Sequence, residues 1–545
     1  MKNERQKNKL NNMPDLPLAG RRQTANESQS MTVSTVIMMI GLLLSKLTGQ
    51  LREILIMPVF GGNPEITDAY IIGFQVPDLF FQLLVGGAIQ AAITPFLAAA
   101  LERDAERRAW RSLSIFINYA AVIMIFASAF GIIAAPWLVP LLNAGKSELT
   151  VSLAVRVTQA LFPQVFFMMM AALCIGILNA YKRFTSTSFG PAVYNIAVIL
   201  AMVTLGSASP LGAVRTAVGV TIAALIYFLL QFFLSRTMFR NYRFSFDRHD
   251  TGFVLLFRRA VPTLFSGSII QLNTIILNAF AFQFAGAATM LRQASTTWQL
   301  PYGIFTVAIG NVMLPTLSRN FAANDDLGAR RLFAKSLRRA LFLVMPIAAI
   351  FFFLPQDTIA AIFQWGSSYT DAFAAQTAEI LRFYCIAMIA HTFVFLTNQA
   401  FYSRGQTRIA LVNGVITLFL NTLLCYLMTS YTKLGVASLS LAYTLTSTFS
   451  ALFLFSMYKL SRPQAVPRGI SRYLLRLLIC VLPLAAVILL LGLLPVDPSG
   501  KLARLVWYGL RSVLGLIAYA AAAAALGLPE MRQMLGKLLR KLARR

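Results

Sequence analysis

The stretch SLSIFINYAAVIMIFASAFGIIAAPWLVPLL, residues 112–142, contains no Asp, Glu, Lys, Arg or His. A helix that crosses a bilayer needs about 20 mostly apolar residues, and this stretch exceeds that length. The segment before it, ERRAWR (106–111), is rich in Arg, whereas the residues after it are uncharged as far as Lys146. An apolar run with Arg on one flank predicts a transmembrane helix whose basic end faces the cytoplasm.

The rest of the chain repeats this pattern. Of its 545 residues 57% are hydrophobic and only 12% are charged, and its mean hydropathy is +0.68. Soluble proteins carry about 25% charged residues, so the composition excludes an ordinary soluble enzyme, a disordered protein and a disulfide scaffold. The chain is therefore predicted to be an all-α polytopic membrane protein with fourteen spans. These are residues 32–59, 67–99, 112–142, 153–181, 186–207, 211–236, 260–284, 287–317, 337–364, 374–403, 408–430, 434–458, 473–495 and 503–527.

The distribution of basic residues supports this topology. The chain has 48 Lys and Arg against 20 Asp and Glu, a net charge of +28. The even-numbered connections and both tails hold most of these cations, and the odd-numbered connections hold few beyond Lys146, Lys433 and Lys501. This alternation places both termini in the cytoplasm and explains the charge without nucleic acid. The expected location is therefore a membrane that the chain crosses many times.

The longest connection between spans divides the chain. Residues 237–259 mix aromatic residues with Arg, as an interfacial amphipathic segment would. We therefore predict two lobes, of six and eight helices, around a central cavity. The predicted parts are a basic tail (1–30), the N-lobe (31–236), the linker (237–259), the C-lobe (260–528) and a basic amphipathic tail (529–545).

The sequence offers no sign of catalysis. The four cysteines and two histidines lack metal-ligand spacing, and no nucleotide-binding loop or Ser/His/Asp arrangement is recognisable. We therefore predict a transporter without cofactor or metal, driven by the membrane potential or an ion gradient rather than by ATP.

Ionisable residues within spans mark the candidate site, because each costs at least about 2.5–3.5 kcal/mol in a membrane helix. Span one carries Lys46, Arg52 and Glu53 in SKLTGQLRE (45–53), with Gly49 between them where a bend or a close approach would be tolerated. Lys46 and Glu53 are two turns apart on one face. These charges either line a cavity with surplus positive charge or form an internal ion pair that only fixes packing.

Span two predicts a bent or broken helix. Pro77 and Gly86 lie within it, and such residues inside a span need protein or water beside them. Asp68 lies at its outer end, where it is either a functional carboxylate or the N-cap of the helix.

Span eight, MLRQASTTWQLP (290–301), is the most polar. Arg292, Thr296 and Gln299 recur at helical spacing before Pro301, so they share a face that must line an aqueous cavity or meet a partner helix. The surplus of cations predicts an anionic substrate, because a guanidinium group suits phosphate.

Three blocks resemble the MurJ/MviN lipid II flippases of the multidrug/oligosaccharidyl-lipid/polysaccharide exporter superfamily. They are SKLTGQLREILIMPVFGG…TDAYIIGFQVPDLFFQLLVGGAIQAAITPFLA (45–98), GNVMLPTLSRNFA (310–322) and AFYSRGQTR (400–408). The resemblance implies that the protein moves lipid-linked peptidoglycan precursor across the bacterial cytoplasmic (inner) membrane by alternating access. It also implies cell-wall synthesis proteins as partners, and a lipid-tail groove at spans thirteen and fourteen, which we expect to be nearly free of internal polar residues.

The resemblance assigns residues one by one. Lys46 and Arg52 match the two span-one arginines of the family, Glu53 its Asp, and Asp68 the Asp of its TDA motif. The chain also departs from the family pattern. A twin Arg in span two falls on Phe81 and Gln82, a Glu falls on Gly86, and the span-eight Arg falls on Thr296. We expect Arg292, one turn earlier on the same face, to supply the displaced cation.

The departures keep other functions open. A flippase for another lipid-linked oligosaccharide, such as an O-antigen or capsule unit, would fit the reduced number of cations. A drug/cation antiporter would need acidic residues in the cavity, for which Glu53 is weak support. A polyprenyl-phosphate glycosyltransferase would need paired carboxylates and a large outer loop, whereas the outer connections here are short.

Overall fold

The computed structural model describes residues 25–84, 88–143, 145–181, 183–281, 284–365, 368–495 and 500–542. Within these ranges the chain is all-helical. The first half contains α1 (Ala25–Val59), α2 (Pro64–Gly73), α3 (Gln75–Leu84), α4 (Ala88–Leu101), α5 (Glu106–Leu142), α6 (Glu148–Ala180), α7 (Phe184–Leu205) and α8 (Pro210–Ser235). The second half contains α9 (Thr251–Phe280), α10 (Ala287–Tyr302), α11 (Ala308–Ala322), α12 (Asp326–Phe353), α13 (Pro355–Phe363), α14 (Asp371–Tyr402), α15 (Thr407–Tyr431), α16 (Ala437–Ser461), α17 (Ile470–Gly492), α18 (Lys501–Ala525) and α19 (Pro529–Leu542).

The helices are those of a polytopic membrane protein. Among the described residues eleven helical segments are long and apolar enough to cross a membrane, and the first of them is α5. The three other predicted spans coincide with α1, with the broken segment α2–α4, and with α9. Of these segments, α2, α3 and α4 are short, with 10, 10 and 14 residues.

Span two is broken, as its Pro and Gly predict. Helix α2 ends at Gly73 and α3 begins at Gln75, so the helix is interrupted at Phe74. Pro77 lies in the first turn of α3, where its missing N–H leaves no hydrogen bond unmade. Gly86 lies outside the described residues. In span eight, Pro301 is followed by a π-helical turn at Gly303–Val307, which joins α10 to α11. A π-turn absorbs the irregularity that a proline introduces into a helix.

Hydrophobic packing separates the two halves. One core cluster extends from Ile56 to Leu256 and takes in Ala288. Two others take in Met57 and residues from Leu277 to Leu528. Few buried apolar residues of these clusters therefore come from the opposite half, although α9 also packs against α3, α4 and α5 of the first half.

The connection between the halves differs in part from the predicted linker. A short 3₁₀ turn, Met238–Asn241, is followed by extended chain, and α9 begins at Thr251, capped by Asp250. The helix therefore starts earlier than the predicted 260. The extended part is held by α5, where Asn118 donates to the carbonyl oxygen of Ser245 at 2.9 Å.

Candidate functional site

Three charged side chains join α1 to α10. Glu53 receives two hydrogen bonds from Arg292, from Nε at 2.7 Å and from Nη2 at 2.9 Å. Arg52 donates to the same carboxylate at 2.9 Å. We call Arg52, Glu53 and Arg292 the central triad. It links residues 239 positions apart and spans the boundary between the two halves.

The surroundings orient both guanidinium groups of the triad. Arg52 also reaches Oδ1 of Asn195 on α7 at 3.4 Å, and Asn195 in turn donates to the carbonyl oxygen of Ser45. The Arg292 guanidinium lies over the ring of Phe74 at 5.9 Å. Glu53 is only 4% exposed, whereas Arg52 and Arg292 retain 22% and 28% exposure. The carboxylate is therefore enclosed and the two cations keep part of their surface open.

Arg292 opens onto a cavity of about 240 Å³ between the two halves. The predicted span-eight face is confirmed as a cavity wall, because Arg292, Thr296 and Gln299 all line it. Gln299 is exposed and its amide donates to Ser295 at 2.6 Å. Asp78 lines the opposite wall.

The two remaining span-one residues behave differently from the triad. Lys46 is exposed and lies beside Gly303, in the π-turn after α10, so it faces the second half but stands outside the triad. Helix α1 continues through Gly49 without interruption. A Cβ at Gly49 would meet Nδ2 of Asn195 at 3.4 Å, an ordinary contact distance.

A second charged cluster lies at the start of α2. The Asp68 carboxylate pairs with Nζ of Lys146 at 3.1 Å and accepts hydrogen bonds from the N–H and the hydroxyl of Thr289. Lys146 also donates to the carbonyl oxygen of Phe284. We call Asp68, Lys146 and Thr289 the outer cluster. The N-cap interpretation of Asp68 is wrong, because Asn63 caps α2 by accepting from the N–H of Glu65.

Comparison with known proteins identifies the family. The sequence profile of the lipid II flippase MurJ matches residues 57–507. The chain belongs to the lipid II flippase MurJ family. It is 26% identical over 411 residues to a probable lipid II flippase MurJ of Buchnera aphidicola, covering 74% of this chain and 79% of that protein. It is also 26% identical over 424 residues to the lipid II flippase MurJ of Burkholderia cenocepacia, covering 76% and 81%.

Solved structures confirm the fold class. A lipid II flippase MurJ in an inward closed conformation matches with a TM-score of 0.76 at 20% identity, covering 90% of this chain and 98% of that one. An inward-facing multidrug resistance MATE transporter of the MOP superfamily matches with a TM-score of 0.64 at 14% identity, covering 78% and 98%. The chain is thus a transporter-family protein with a MurJ/MATE-like fold.

The apolar character predicted for spans thirteen and fourteen has an exception on α18. Arg511 is 13% exposed. It pairs with Asp357 of α13 at 3.0 Å and donates to the carbonyl oxygen of Ile488 on α17. The outer sides of α17 and α18 are nevertheless apolar and exposed. Examples are Leu478, Leu482, Leu489, Val506, Val513 and Ile517.

Sequence reasoning missed three partners. It named no role for Asp78 on the cavity wall, for Asn195 beside Arg52, or for Lys146 beside Asp68. Lys146 carried a signal, because it breaks the charge pattern of the outer connections. Asn195 carried no such signal, since a single Asn in a membrane helix commonly forms an ordinary hydrogen bond between helices.

Proposed function

We propose that the protein moves lipid II, the undecaprenyl-pyrophosphate-linked peptidoglycan precursor, from the cytoplasmic to the outer leaflet by alternating access. The family membership supports this function, and so do the names of the two relatives described above. The proposed location is the bacterial inner membrane, with both termini in the cytoplasm.

The observation that carries the proposal is the uncompensated positive charge between the two halves. Arg52 and Arg292 share a single carboxylate, Glu53, and both guanidinium groups keep open surface. Asp78 adds a second carboxylate on the cavity wall, and Lys46, which lies outside the triad beside Gly303, adds a third cation at the boundary of the halves. A pyrophosphate would supply the missing negative charge, and guanidinium groups bind phosphate through paired N–H donors.

Glu53 gives this site a way to couple binding to movement. The Glu53 carboxylate binds Arg52 on α1 and Arg292 on α10, so it ties the two halves. A bound pyrophosphate would compete with Glu53 for the same N–H donors. The contact between the halves would then depend on the substrate, as rocking of two lobes about a central site requires.

The outer cluster would close the extracytoplasmic end during loading. Asp68, Lys146 and Thr289 join α2, the connection before α6 and the start of α10, and they are buried. The proposed architecture has fourteen spans in lobes of six and eight, for which the separate core clusters are the support. Opening of the outer cluster would release the substrate outward.

A second candidate is a flippase for another lipid-linked glycan. The positions of the family's twin Arg in span two are Phe81 and Gln82 here, and Phe81 packs against the apolar core of the first half. A cavity with fewer cations could take a headgroup with less negative charge than the lipid II headgroup.

Depletion rescue tests the proposal directly. The gene is expressed in a bacterium depleted of its own lipid II flippase, and growth is measured with wild-type protein and with Arg292→Ala. We expect wild-type protein to restore growth and Arg292→Ala to fail at equal membrane abundance. Rescue of an O-antigen or capsule flippase mutant, without rescue of the lipid II flippase mutant, would favour the second candidate.

A further inference from the structure

A second cavity, of about 280 Å³, lies within the second half between α9, α14, α15 and α16. We call it the neutral cavity, because no Asp, Glu, Lys or Arg is among the described residues that line it. Asn273 and Tyr443 line both this cavity and the one that Arg292 faces. The two cavities are therefore neighbours that share a wall.

One side of the neutral cavity is a rigid aromatic wall. The His391 ring is stacked between Trp298 and Tyr443, with both ring-centroid distances at 5.3 Å. Tyr302 meets the edge of the same imidazole. The histidine also shares a hydrogen bond with Ser447 at 3.1 Å, which fixes its orientation. Because both faces of the imidazole are covered, the C–H groups of a ligand would meet the other aromatic residues of the lining, Tyr302, Phe395, Tyr402 and Tyr443.

The other side offers neutral hydrogen-bonding groups, two of which lack a partner. Oδ1 of Asn398 and Oγ1 of Thr446 are buried without a hydrogen-bond partner among the described residues, and both side chains line the cavity. Thr446 is only 5% exposed. Buried polar atoms in native proteins are almost always hydrogen-bonded, so these two oxygens point to a ligand that supplies the missing partners.

We propose that the neutral cavity binds one sugar ring of the lipid-linked saccharide while the central triad holds its pyrophosphate. This inference rests on the proposed function. A sugar ring presents C–H faces to aromatic rings and hydroxyl groups to amides and alcohols, and it carries no charge. The cavity's volume of about 280 Å³ is just below the range of about 300–1,000 Å³ for small-ligand sites, so the cavity suits one ring rather than two.

Two lipids separate the sugar contact from the pyrophosphate contact. The probes are undecaprenyl pyrophosphate and undecaprenyl pyrophosphate that carries a single N-acetylglucosamine. Their dissociation constants for the purified full-length protein are measured by native mass spectrometry. We expect wild-type protein to bind the glycosylated lipid about tenfold more tightly, as two or more additional neutral hydrogen bonds would give.

Matched threonine variants make the test specific. Thr446→Val removes the unpartnered hydroxyl and keeps the shape, whereas Thr422→Val on α15 removes a hydroxyl that bonds its own helix and does not line the cavity. We expect Thr446→Val, and likewise Asn398→Leu, to weaken binding of the glycosylated lipid about fivefold without changing binding of the bare lipid. Thr422→Val should change neither, and the melting temperature of ligand-free Thr446→Val should not fall.

The other possible outcomes would contradict either this inference or the proposed function. If the sugar adds no affinity in wild-type protein, or if Thr446→Val weakens both lipids equally, the inference is wrong while the proposed function stands. If the neutral cavity instead holds a monovalent cation, binding of both lipids will depend on that cation and will lose this dependence in Thr446→Val, which contradicts the inference. If wild-type protein binds neither lipid, or if Arg292→Ala leaves bare-lipid affinity unchanged, the proposed function itself fails.

Discussion

The central triad and the outer cluster are two charged groups that both join the halves of the molecule, yet they differ in charge balance. In the outer cluster one cation meets one carboxylate, and the side chains of Lys146 and Asp68 are 5% and 3% exposed. In the central triad two cations share one carboxylate and keep about a quarter of their surface open.

This difference suits the two groups to different roles, one to closing the structure and the other to binding a ligand. A buried pair whose charges and hydrogen bonds are satisfied has nothing left to offer a substrate, but it costs much to break. A cluster with surplus positive charge and open surface is only partly stabilised by its own contacts, so it attracts an anion. We therefore assign closure to the outer cluster and pyrophosphate binding to the triad.

The largest effect is expected from Glu53→Ala. This change leaves Arg52 and Arg292 close together without their shared anion, and breaking such a group costs about 3–5 kcal/mol. We expect a much lower melting temperature and loss of transport. The control is Glu379→Ala, which removes an exposed carboxylate from a local pair with Arg382. Equal melting temperatures of the two variants would contradict the role of Glu53.

The outer cluster offers a double-variant test of closure. Lys146→Met leaves the Asp68 carboxylate buried without its cation, which we expect to cost about 3 kcal/mol of stability. Adding Asp68→Asn should recover most of this loss, because an amide oxygen can still accept from Thr289. Thermal unfolding of the single and double variants measures the difference. A double variant no more stable than Lys146→Met would show that charge balance does not hold this cluster together.

A smaller effect is expected from Arg292→Lys. The ammonium group keeps the charge but cannot make the paired contact with Glu53 or with a phosphate. Loss of one charge-assisted hydrogen bond, about 1.5 kcal/mol, should slow lipid II transport in proteoliposomes roughly tenfold. An unchanged rate would mean that Arg292 acts only as a point charge. Arg382→Lys, on the surface of α14, is the matched control.

The smallest effect is expected from Gln299→Ala. Its side chain is exposed at the cavity wall, and among the described residues its amide bonds only Ser295, on its own helix. We expect transport within about twofold of wild type, because neutral contacts that water can replace contribute little. A large loss would extend the substrate site beyond the triad and along α10.

The sequence predicts local features of this molecule well. Apolar length and charge alternation predict the helices, and the Pro and Gly residues of span two predict its break. The spacing of Arg292, Thr296 and Gln299 predicts their common face, since helical periodicity fixes which side chains lie together. Each of these features depends on neighbours within a few turns.

Contacts between distant parts could not be predicted in the same way. Arg292 and Glu53 are 239 residues apart, and Lys146 and Asp68 are 78 apart. The sequence placed a cation and a carboxylate in separate spans but did not say which cation would meet which carboxylate. Asp68 illustrates the limit, because a local motif suggested an N-cap while its real partners come from two other parts of the chain.

Transport of lipid II by Arg292→Ala and Arg382→Ala tests the central claim most directly. Both variants remove one arginine, the first from the triad and the second from an exposed local ion pair. Translocation is measured in proteoliposomes that contain equal amounts of folded protein. The account predicts that Arg292→Ala abolishes translocation while Arg382→Ala retains the wild-type rate. Translocation by Arg292→Ala at the rate of Arg382→Ala would contradict the claim that the surplus charge of the triad binds the substrate.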